Sequence, residues 1–237
     1  MTALTYSDVL TQVANLVPTN TTDSNLLTVF PQAINDAELR LYRDLDLLNT
    51  QATGTAILSL SSRSFALPSA NGTFVILDEL NVITPAGTVP DAGTRNPLTP
   101  ATKELLDMLW PSSNGSSVPT YFARLTDGTA LLGPWPDLAY IVEAVGTVRP
   151  DSLSAVNTTT LLSTYFPDLL IAAMMVFISA YMRDFSSASD DPQAGTNWQN
   201  HSQALLQGAT VEEARKKFRA EGWSPAQPSK IATPPRS

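Results

Sequence analysis

The stretch that decides the fold is Tyr165-Phe-Pro-Asp-Leu-Leu-Ile-Ala-Ala-Met-Met-Val-Phe-Ile-Ser-Ala-Tyr-Met182, the longest apolar run in the chain. Pro167 suits the first position of a helix, because its missing N–H would have no partner there, and Asp168 places a negative charge in the first turn. The run is apolar on every face. The helix that it predicts must therefore be surrounded by lipid, by its own domain or by neighbouring subunits.

Lipid is the least favoured of these three environments. A membrane span needs about 20 apolar residues, whereas runs of about 10–14 usually belong to buried core helices. The uncharged segment here lies between Asp168 and Arg183, with no flanking Trp anchor and no Lys/Arg cluster. We expect a core or subunit-interface helix at about 167–185, and a membrane-associated protein is the alternative.

The composition limits the function further. The chain has 237 residues, 43% of them hydrophobic, which is ample for a packed core, and its net charge is −8 with a pI near 4.5. That charge argues against a DNA-binding surface, which needs Lys and Arg to neutralise phosphates, although it permits a protein that lines a DNA passage. There are no cysteines, so disulfides, thiol chemistry and Cys-based metal sites are excluded. The N-terminus lacks a basic and apolar leader, so we expect no signal peptide.

Helices are predicted at the N-terminal end. Thr5 and Asp8 have the spacing of a capping box for a helix at 6–17. A second helix is predicted over 24–48, in which Pro31 marks either a kink or the true first turn. Paired carboxylates such as Glu38 and Asp46 suggest acid/base chemistry, but a solvated helix face is the favoured interpretation.

The middle of the chain is rich in Thr, Val, Gly and Pro, which is typical of short strands and turns. The segments 55–60 and 64–67 are predicted to pair with each other, and 74–84 is predicted as an extended segment interrupted by Asp78-Glu79. We expect a loop at 85–100. A short helix at 103–110 and strands at 120–125, 130–132 and 140–148 complete this part.

Helices are predicted again in the C-terminal part. Asp191-Pro192 is expected to start a helix that Gly208 interrupts, and Thr210-Val-Glu-Glu213 reads as the capping box of a last segment ending near Gly222. The Pro-rich residues from 224 onward cannot form a packed element alone.

The predicted fold is α+β: a helical bundle of N- and C-terminal helices, a central β-rich insertion of sandwich or barrel-like form, and an extended C-terminal tail. The expected parts are 1–50 and 153–222 for the two halves of the helical part, 51–152 for the β-rich domain and 223–237 for the tail.

Few residues suggest catalysis. A Ser-His-Asp site would need the single histidine, His201, but the sequence has no Gly-x-Ser-x-Gly motif to supply the serine. A solvent-facing helical position is the favoured interpretation of His201. Neither a Walker A motif nor a Gly-x-Gly-x-x-Gly motif occurs, and the acidic pairs lack the spacing of a calcium loop. We therefore predict no catalytic residues, no cofactor and no metal. Trp135, between two prolines, is either a core anchor or an interface plug.

Arg215-Lys216-Lys217 is the one local reversal of the acidic charge. These residues suit contact with DNA or with an acidic partner, but cations are also common near helix C-termini, where they interact favourably with the helix dipole.

The order of several short motifs resembles the head-to-tail connector, or adaptor, proteins of tailed bacteriophages, particularly those of short-tailed phages and the tail tubular A type. The motifs are 5–10, 37–45, Pro119-Thr-Tyr121 with the Gly128 turn, Leu132-Gly-Pro-Trp-Pro136, and 165–170 opening the apolar helix.

The resemblance implies a structural virion protein of the neck, assembled in the host cytoplasm and without a membrane contact. It implies a ring, typically of twelve copies, that docks on the portal protein, continues the DNA channel without sequence-specific binding and attaches tail or nozzle proteins through its β-rich part. The alternative kept beside it is a connector with cell-wall hydrolase activity, motivated only by available acids such as Glu38 and Glu143.

The resemblance also implies two sets of contact residues. In this family a C-terminal extension commonly reaches the portal, which assigns portal or partner binding to Arg215, Lys216, Lys217, Phe218, Trp223, Lys230, Ile231 and Arg236. The helices pack between subunits, which assigns inter-subunit packing to Leu170, Met174, Met175, Phe177, Ile178 and Tyr181.

Overall fold

The computed structural model describes residues 3–17, 19–182 and 193–220, and of the helical residues 180–182, 194 and 218–220 only the backbone is described. Within these residues the chain contains six α-helices and two four-stranded sheets. The α+β class is confirmed.

Two capped helices open the chain. α1 (Tyr6–Leu16) begins with the predicted capping box, in which the Thr5 side chain accepts from the Asp8 N–H and Asp8 accepts from the Thr5 N–H. α2 (Ser24–Asp44) is capped by Asp23, so Pro31 lies inside the helix and does not mark its first turn. α2 also ends before the predicted residue 48, because the backbone is extended at Leu45.

Eight strands and one helix form the middle of the chain. The strands are β1 (Gln51–Ile57), β2 (Ser64–Ala66), β3 (Thr73–Thr84), β4 (Thr94–Pro97), β5 (Thr99–Pro100), β6 (Tyr121–Thr126), β7 (Thr129–Gly133) and β8 (Ile141–Arg149), and the helix is α3 (Lys103–Leu109). One sheet has the order β1-β8-β3-β4 and is antiparallel throughout. The other has the order β2-β7-β6-β5, with β5 and β6 parallel.

Three predictions for this middle part were wrong. The first two strands do not pair with each other, since β1 pairs with β8 and β2 pairs with β7. β3 continues through Asp78-Glu79 without interruption, because its pairing with β8 shifts register between Leu77 and Glu79 and then resumes. The predicted loop at 85–100 contains β4 and β5, which are short and contain prolines at positions where edge strands tolerate them.

The two sheets contribute to one apolar core. Its members include Leu58 directly after β1, Phe65 of β2, Phe74 and Val82 of β3, and Leu132 of β7. A smaller cluster of Leu106, Ala123 and Leu131 attaches α3 to β6 and β7. The β-rich part is therefore held together by apolar side chains that lie between its sheets.

Three further helices follow: α4 (Leu161–Tyr165), α5 (Pro167–Met182) and α6 (Ala194–Ala220). α6 passes through Gly208 without a break, at a cost of about 1 kcal/mol relative to alanine, so the predicted interruption was wrong. Thr210 is not an N-cap, because its hydroxyl donates to the Leu206 carbonyl oxygen inside α6. The predicted helix start at Asp191-Pro192 and the cap at Gly222 lie outside the described residues.

The apolar stretch lies in a core that its own chain provides. That core takes Val9 and Val13 from α1, several residues from α2, Leu162 from α4 and Ala209 from α6, and it surrounds Leu169, Leu170 and Met174 of α5. Helices from both ends of the chain thus share one apolar core, although about 100 residues of β-rich chain separate them.

We expect Leu170→Ala to lower the free energy of unfolding by about 2–5 kcal/mol, because it removes a fully buried side chain and leaves a cavity. Leu16→Ala, at a helical position that is 46% exposed, is the matched control and should cost much less. Urea unfolding monitored by circular dichroism measures both. Equal losses for the two variants would contradict the assigned core.

Candidate functional site

Most of the residues predicted for inter-subunit packing lie inside the single chain. Leu170, Met174, Met175 and Ile178 are buried in the shared helical core, and Phe177 is half-buried against it. The side chain of Tyr181 lies outside the described residues. The apolar side chains of α5 are thus covered without a neighbouring copy as far as the described residues extend.

The basic cluster on α6 is largely engaged within the chain. Lys216 Nζ lies 2.7 Å from Oε1 of both Glu212 and Glu213 and also faces the Tyr165 and Phe166 rings. Hydrogen bonds to these glutamates raise the pKa of Lys216.

The remaining residues predicted to bind the portal divide into two groups. Lys217 pairs with Asp46, while Arg215 is exposed. The side chain of Phe218, and Trp223, Lys230, Ile231 and Arg236 altogether, lie outside the described residues, so their partner binding stays a prediction.

Glu38 is buried, and the predicted solvated position was wrong for it. Its carboxylate accepts from the Leu153 N–H at 3.1 Å and from the Thr160 hydroxyl at 3.2 Å. Burial raises the pKa of Glu38 because desolvation outweighs these hydrogen bonds. The residue fastens α2 to the segment that returns from β8 to α4, which is a structural role.

A second buried glutamate fastens the other connection between the two parts. Glu213 Oε2 accepts from the Leu48 N–H at 2.9 Å, and the neighbouring Lys217–Asp46 pair lies at the same place. These contacts join α6 to the segment that leads from α2 into β1. Each of the two chain crossings between the helical and β-rich parts is therefore held by a buried carboxylate.

Glu143, the other acid that suggested hydrolysis, is held by an arginine. Arg95 donates to Glu143 from Nε at 2.7 Å and from Nη2 at 3.1 Å, and this contact lowers the pKa of the Glu143 carboxyl. Because the pair lies on β4 and β8, it links the edge strand β4 of the first sheet to β8, across the intervening strand β3. A carboxylate kept ionised in this way is poorly suited to donate a proton.

His201 and Trp135 also have structural environments. His201 is exposed on α6 and contacts Trp198 edge-on, as expected for a solvent-facing position. The Trp135 indole N–H donates to the Trp110 carbonyl oxygen at 3.1 Å, and Arg63 lies over the Trp135 ring. Trp135 therefore anchors the segment between β7 and β8 to the residue that follows α3.

A groove of about 450 Å³ lies at the junction of the two parts. Its lining consists of Ala70, Asn71, Pro150, Asp151, Asn157, Thr159, Thr160, Leu161, Thr164 and Tyr165. This lining is mostly uncharged, and Asp151 is its one carboxylate. Elsewhere in the described part of the chain, no group of three or more His, Asp or Glu residues is placed to hold a metal ion.

Sequence reasoning missed a set of exposed apolar side chains in the β-rich part, at the end away from its two connections to the helical part. We define the apolar end surface as Ile57, Leu60, Leu105, Met108, Leu109 and Leu138, all of which are exposed. The Leu58 N–H donates to the Tyr140 carbonyl oxygen, and the Ser61 N–H donates to the Pro136 carbonyl oxygen. These bonds bring the segment with Ile57 and Leu60 beside the segment with Leu138.

An ion pair brings α3 to the same end, since Arg63 lies 2.6 Å from Asp107. One feature of the sequence does indicate this surface. Helix α3 carries apolar residues on more than one face, although only the face of Leu106 is buried; the others are Leu105, Met108 and Leu109. Exposed apolar surface of this kind commonly marks a site of protein–protein contact.

Comparison with known proteins points to one family. A family model described as SU10 adaptor protein matches residues 4–227, which include both helical segments and the whole β-rich part. No curated protein matches the chain significantly. The match confirms the predicted resemblance to phage head-to-tail adaptors. Among the described helices, none is long and apolar enough to cross a membrane.

We expect Glu38→Gln to weaken the decline of stability with rising pH. The folded chain holds a proton on Glu38 at pH values where the unfolded chain, with a pKa near 4.5, has lost it. Ionisation therefore costs stability as pH rises from about 4.5 through the raised folded pKa, and glutamine removes this cost. Urea unfolding at a series of pH values measures the slope.

Glu38→Ala is the companion variant to Glu38→Gln. It leaves the Leu153 N–H and the Thr160 hydroxyl without their acceptor, so it should destabilise the fold by about 1–3 kcal/mol at every pH. Two results would contradict the assigned role of Glu38 in holding α2 to the segment between β8 and α4. One is a pH dependence of stability that Glu38→Gln leaves unchanged, and the other is an alanine variant as stable as the glutamine variant.

Proposed function

The chain belongs to the SU10 adaptor protein family, and we propose that it forms a ring, of about twelve copies, between the phage portal and the tail. The observation that carries the proposal is the family match, which extends over residues 4–227 rather than over one part alone. Membership makes the chain a structural phage adaptor, and such a protein interacts with portal and tail components.

The charge of the chain supports a role beside passing DNA. A net charge of −8 repels phosphates, so a ring of such subunits would let DNA through without retaining it. Because Lys216 and Lys217 pair with acidic residues of the same chain, they add little to any DNA-binding surface. We propose that the ring continues the DNA channel and makes no sequence-specific contact with DNA.

We propose that the two ends of the subunit serve different partners. The helical part, with the C-terminal segment that follows α6, docks on the portal. The apolar end surface of the β-rich part offers the exposed hydrophobic side chains that a tail or nozzle protein would cover.

The hydrolase alternative has no observation in its favour among the described residues. Glu38 is buried and accepts the Leu153 N–H, and Glu143 is paired with Arg95. The two acids lie in different parts of the chain rather than facing each other across a cleft. The structural role of the family also suggests a protein without enzymatic activity.

We expect the full chain to bind a purified portal ring in about twelve copies, each adding 25.4 kDa to the mass of the complex. Native mass spectrometry measures this mass. A truncated chain lacking 224–237 should bind more weakly, while circular dichroism shows that it still folds. Equal binding by both chains would remove the proposed role of the C-terminal segment, and no complex with either would contradict portal docking.

We expect Met108→Glu to abolish recruitment of the tail component to a portal–adaptor complex, because it places a charge within the apolar end surface. Portal binding should be unchanged. Val156→Glu is the matched control, since Val156 is 97% exposed and lies outside this surface. Recruitment that survives Met108→Glu, measured by co-sedimentation, would contradict the proposed tail-binding surface.

A further inference from the structure

β1 differs from the other sheet edges of the molecule. Among the described residues it has one strand partner, β8, and its other side is an edge of the first sheet. The three other edge strands are shorter: β4 has four residues, β2 three and β5 two. β1 has seven residues and contains no charge and no proline, and its pairing with β8 shows no register shift.

The hydrogen-bonding groups of this edge can be assigned from the pairing with β8. The Leu58 N–H, directly after β1, donates to the Tyr140 carbonyl oxygen at 2.9 Å. Backbone groups alternate in direction along an antiparallel strand, so the even-numbered residues of β1 face β8. The odd-numbered residues Thr53, Thr55 and Ile57 therefore direct their N–H and C=O groups outward.

Only part of this outward row is open. The Asn71 side-chain amide donates to the Thr53 carbonyl oxygen at 3.3 Å, so the edge is already occupied at that position. Thr55 and Ile57 are both exposed. Among the described residues they therefore offer two donors and two acceptors, side by side, to an incoming strand.

A row of three isoleucines on the outer face of the first sheet also ends at this edge. Ile83 of β3 is paired with Ile141 of β8, and Ile141 is paired with Ile57 of β1, so the three side chains lie next to each other. Ile83 is fully buried, Ile141 is half-buried and Ile57 is 71% exposed. Gly93 helps to bury Ile83, since the close approach of its backbone leaves no room for a side chain there. The row thus loses its cover toward β1, where a further strand would lie.

Proteins normally protect a long sheet edge with charges, prolines, bulges or a covering segment, since it is otherwise a template for pairing with another chain. β1 has none of the first three devices. Its inward-facing residues Ala52 and Ala56 are small and half-buried, so the core between the sheets is thin beside this strand. A covering strand is the remaining device.

The other described edges of a second copy are poorly suited to supply this strand. Pro97 of β4 and Pro100 of β5 face outward, because the residues after them, Leu98 and Ala101, donate to the neighbouring strands β3 and β6. Proline has no N–H to donate to β1. In β2 the outward carbonyl oxygen of Ser64 already accepts from a nearby serine hydroxyl at 3.0 Å.

Pairing of β1 with β1 of a second copy is possible in register, but it does not fit a ring. It places Thr55 of each copy opposite Ile57 of the other, which is a two-fold contact that closes at two copies. A ring requires contact between two different surfaces of the subunit. The geometry therefore favours a strand from a different protein.

We propose that a strand of the tail component adds to the outer edge of β1 at Thr55 and Ile57. This inference rests on the proposed function, since Ile57 also belongs to the apolar end surface that we assign to tail binding. Backbone hydrogen bonds hold the added strand, and side chains that alternate along it give the contact its specificity. The strand is uncharged, with an apolar residue beside Ile57 that continues the isoleucine row and another that covers the rim beside Ala56.

Thr55→Pro tests the pairing because proline removes an outward N–H but no hydrogen bond to β8, and edge strands tolerate such prolines. We expect at least ten-fold weaker recruitment to the portal–adaptor complex of the tail complex purified from phage particles, measured by co-sedimentation. Thr53→Pro is the matched control on the same edge and should stay within about two-fold of the unmodified chain, because Asn71 already occupies that position. Thr55→Ala keeps the N–H and should also stay within about two-fold. Circular dichroism and portal binding verify that each variant folds.

Hydrogen exchange provides a second test that needs no variant. The portal–adaptor complex without tail proteins is compared with the neck complex isolated from phage particles, which holds portal, adaptor and tail. We expect exchange of the Thr55 and Ile57 amides to slow by at least ten-fold in the neck complex. Equal protection of these amides in both complexes would assign the edge to the adaptor itself, either to its own chain or to a neighbouring copy, and would overturn the proposal.

The outcomes also separate this inference from the proposed function. Recruitment that is lost in Met108→Glu but kept in Thr55→Pro would overturn strand addition and leave the tail-binding surface in place. Recruitment that is kept in both variants would overturn the surface and the strand addition together. Equal losses in Thr53→Pro and Thr55→Pro would overturn the position assigned to the strand on β1.

Discussion

Burial of α5 places the other helices of the helical part, because an element that is apolar on all sides needs neighbours on all sides. α1, α2, α4 and α6 supply those neighbours, and they come from both ends of the chain. The β-rich part is inserted between the two halves of this core. A chain with this connectivity cannot complete its helical core until the residues after β8 have joined those before β1, so the two ends depend on each other for stability.

The connection between the helical and β-rich parts relies on two buried glutamates. Glu38 fastens the segment that returns from β8, and Glu213 fastens the segment that leads into β1. An isolated buried carboxylate is costly, which explains the raised pKa of Glu38. The Leu153 N–H and the Thr160 hydroxyl donate to Glu38, and the Leu48 N–H donates to Glu213, so each crossing has its own buried acceptor. Buried Leu47 and Leu153 pack the same two segments into the helical core.

Local signals in the sequence predicted much of this structure. The Thr5–Asp8 capping box, the short helix near Lys103 and the apolar helix beginning at Pro167 were all predicted near their observed positions. The misses involve contacts between residues distant in the chain. β1 and β2 lie close in sequence but pair with β8 and β7, and Glu38 is buried by Leu153 and Thr160, which no helical periodicity of α2 reveals. The apolar end surface likewise depends on Arg63 and Asp107 meeting across the fold.

The apolar helix α5 is covered by its own chain among the described residues. The most direct measurement is the urea unfolding midpoint over a hundred-fold range of protein concentration, followed by the far-UV circular dichroism of the helices. Coverage within one chain predicts a midpoint independent of concentration, because unfolding then involves one molecule. A midpoint that rises with concentration would contradict the account, because it would mean that the helical core forms only when copies of the chain associate.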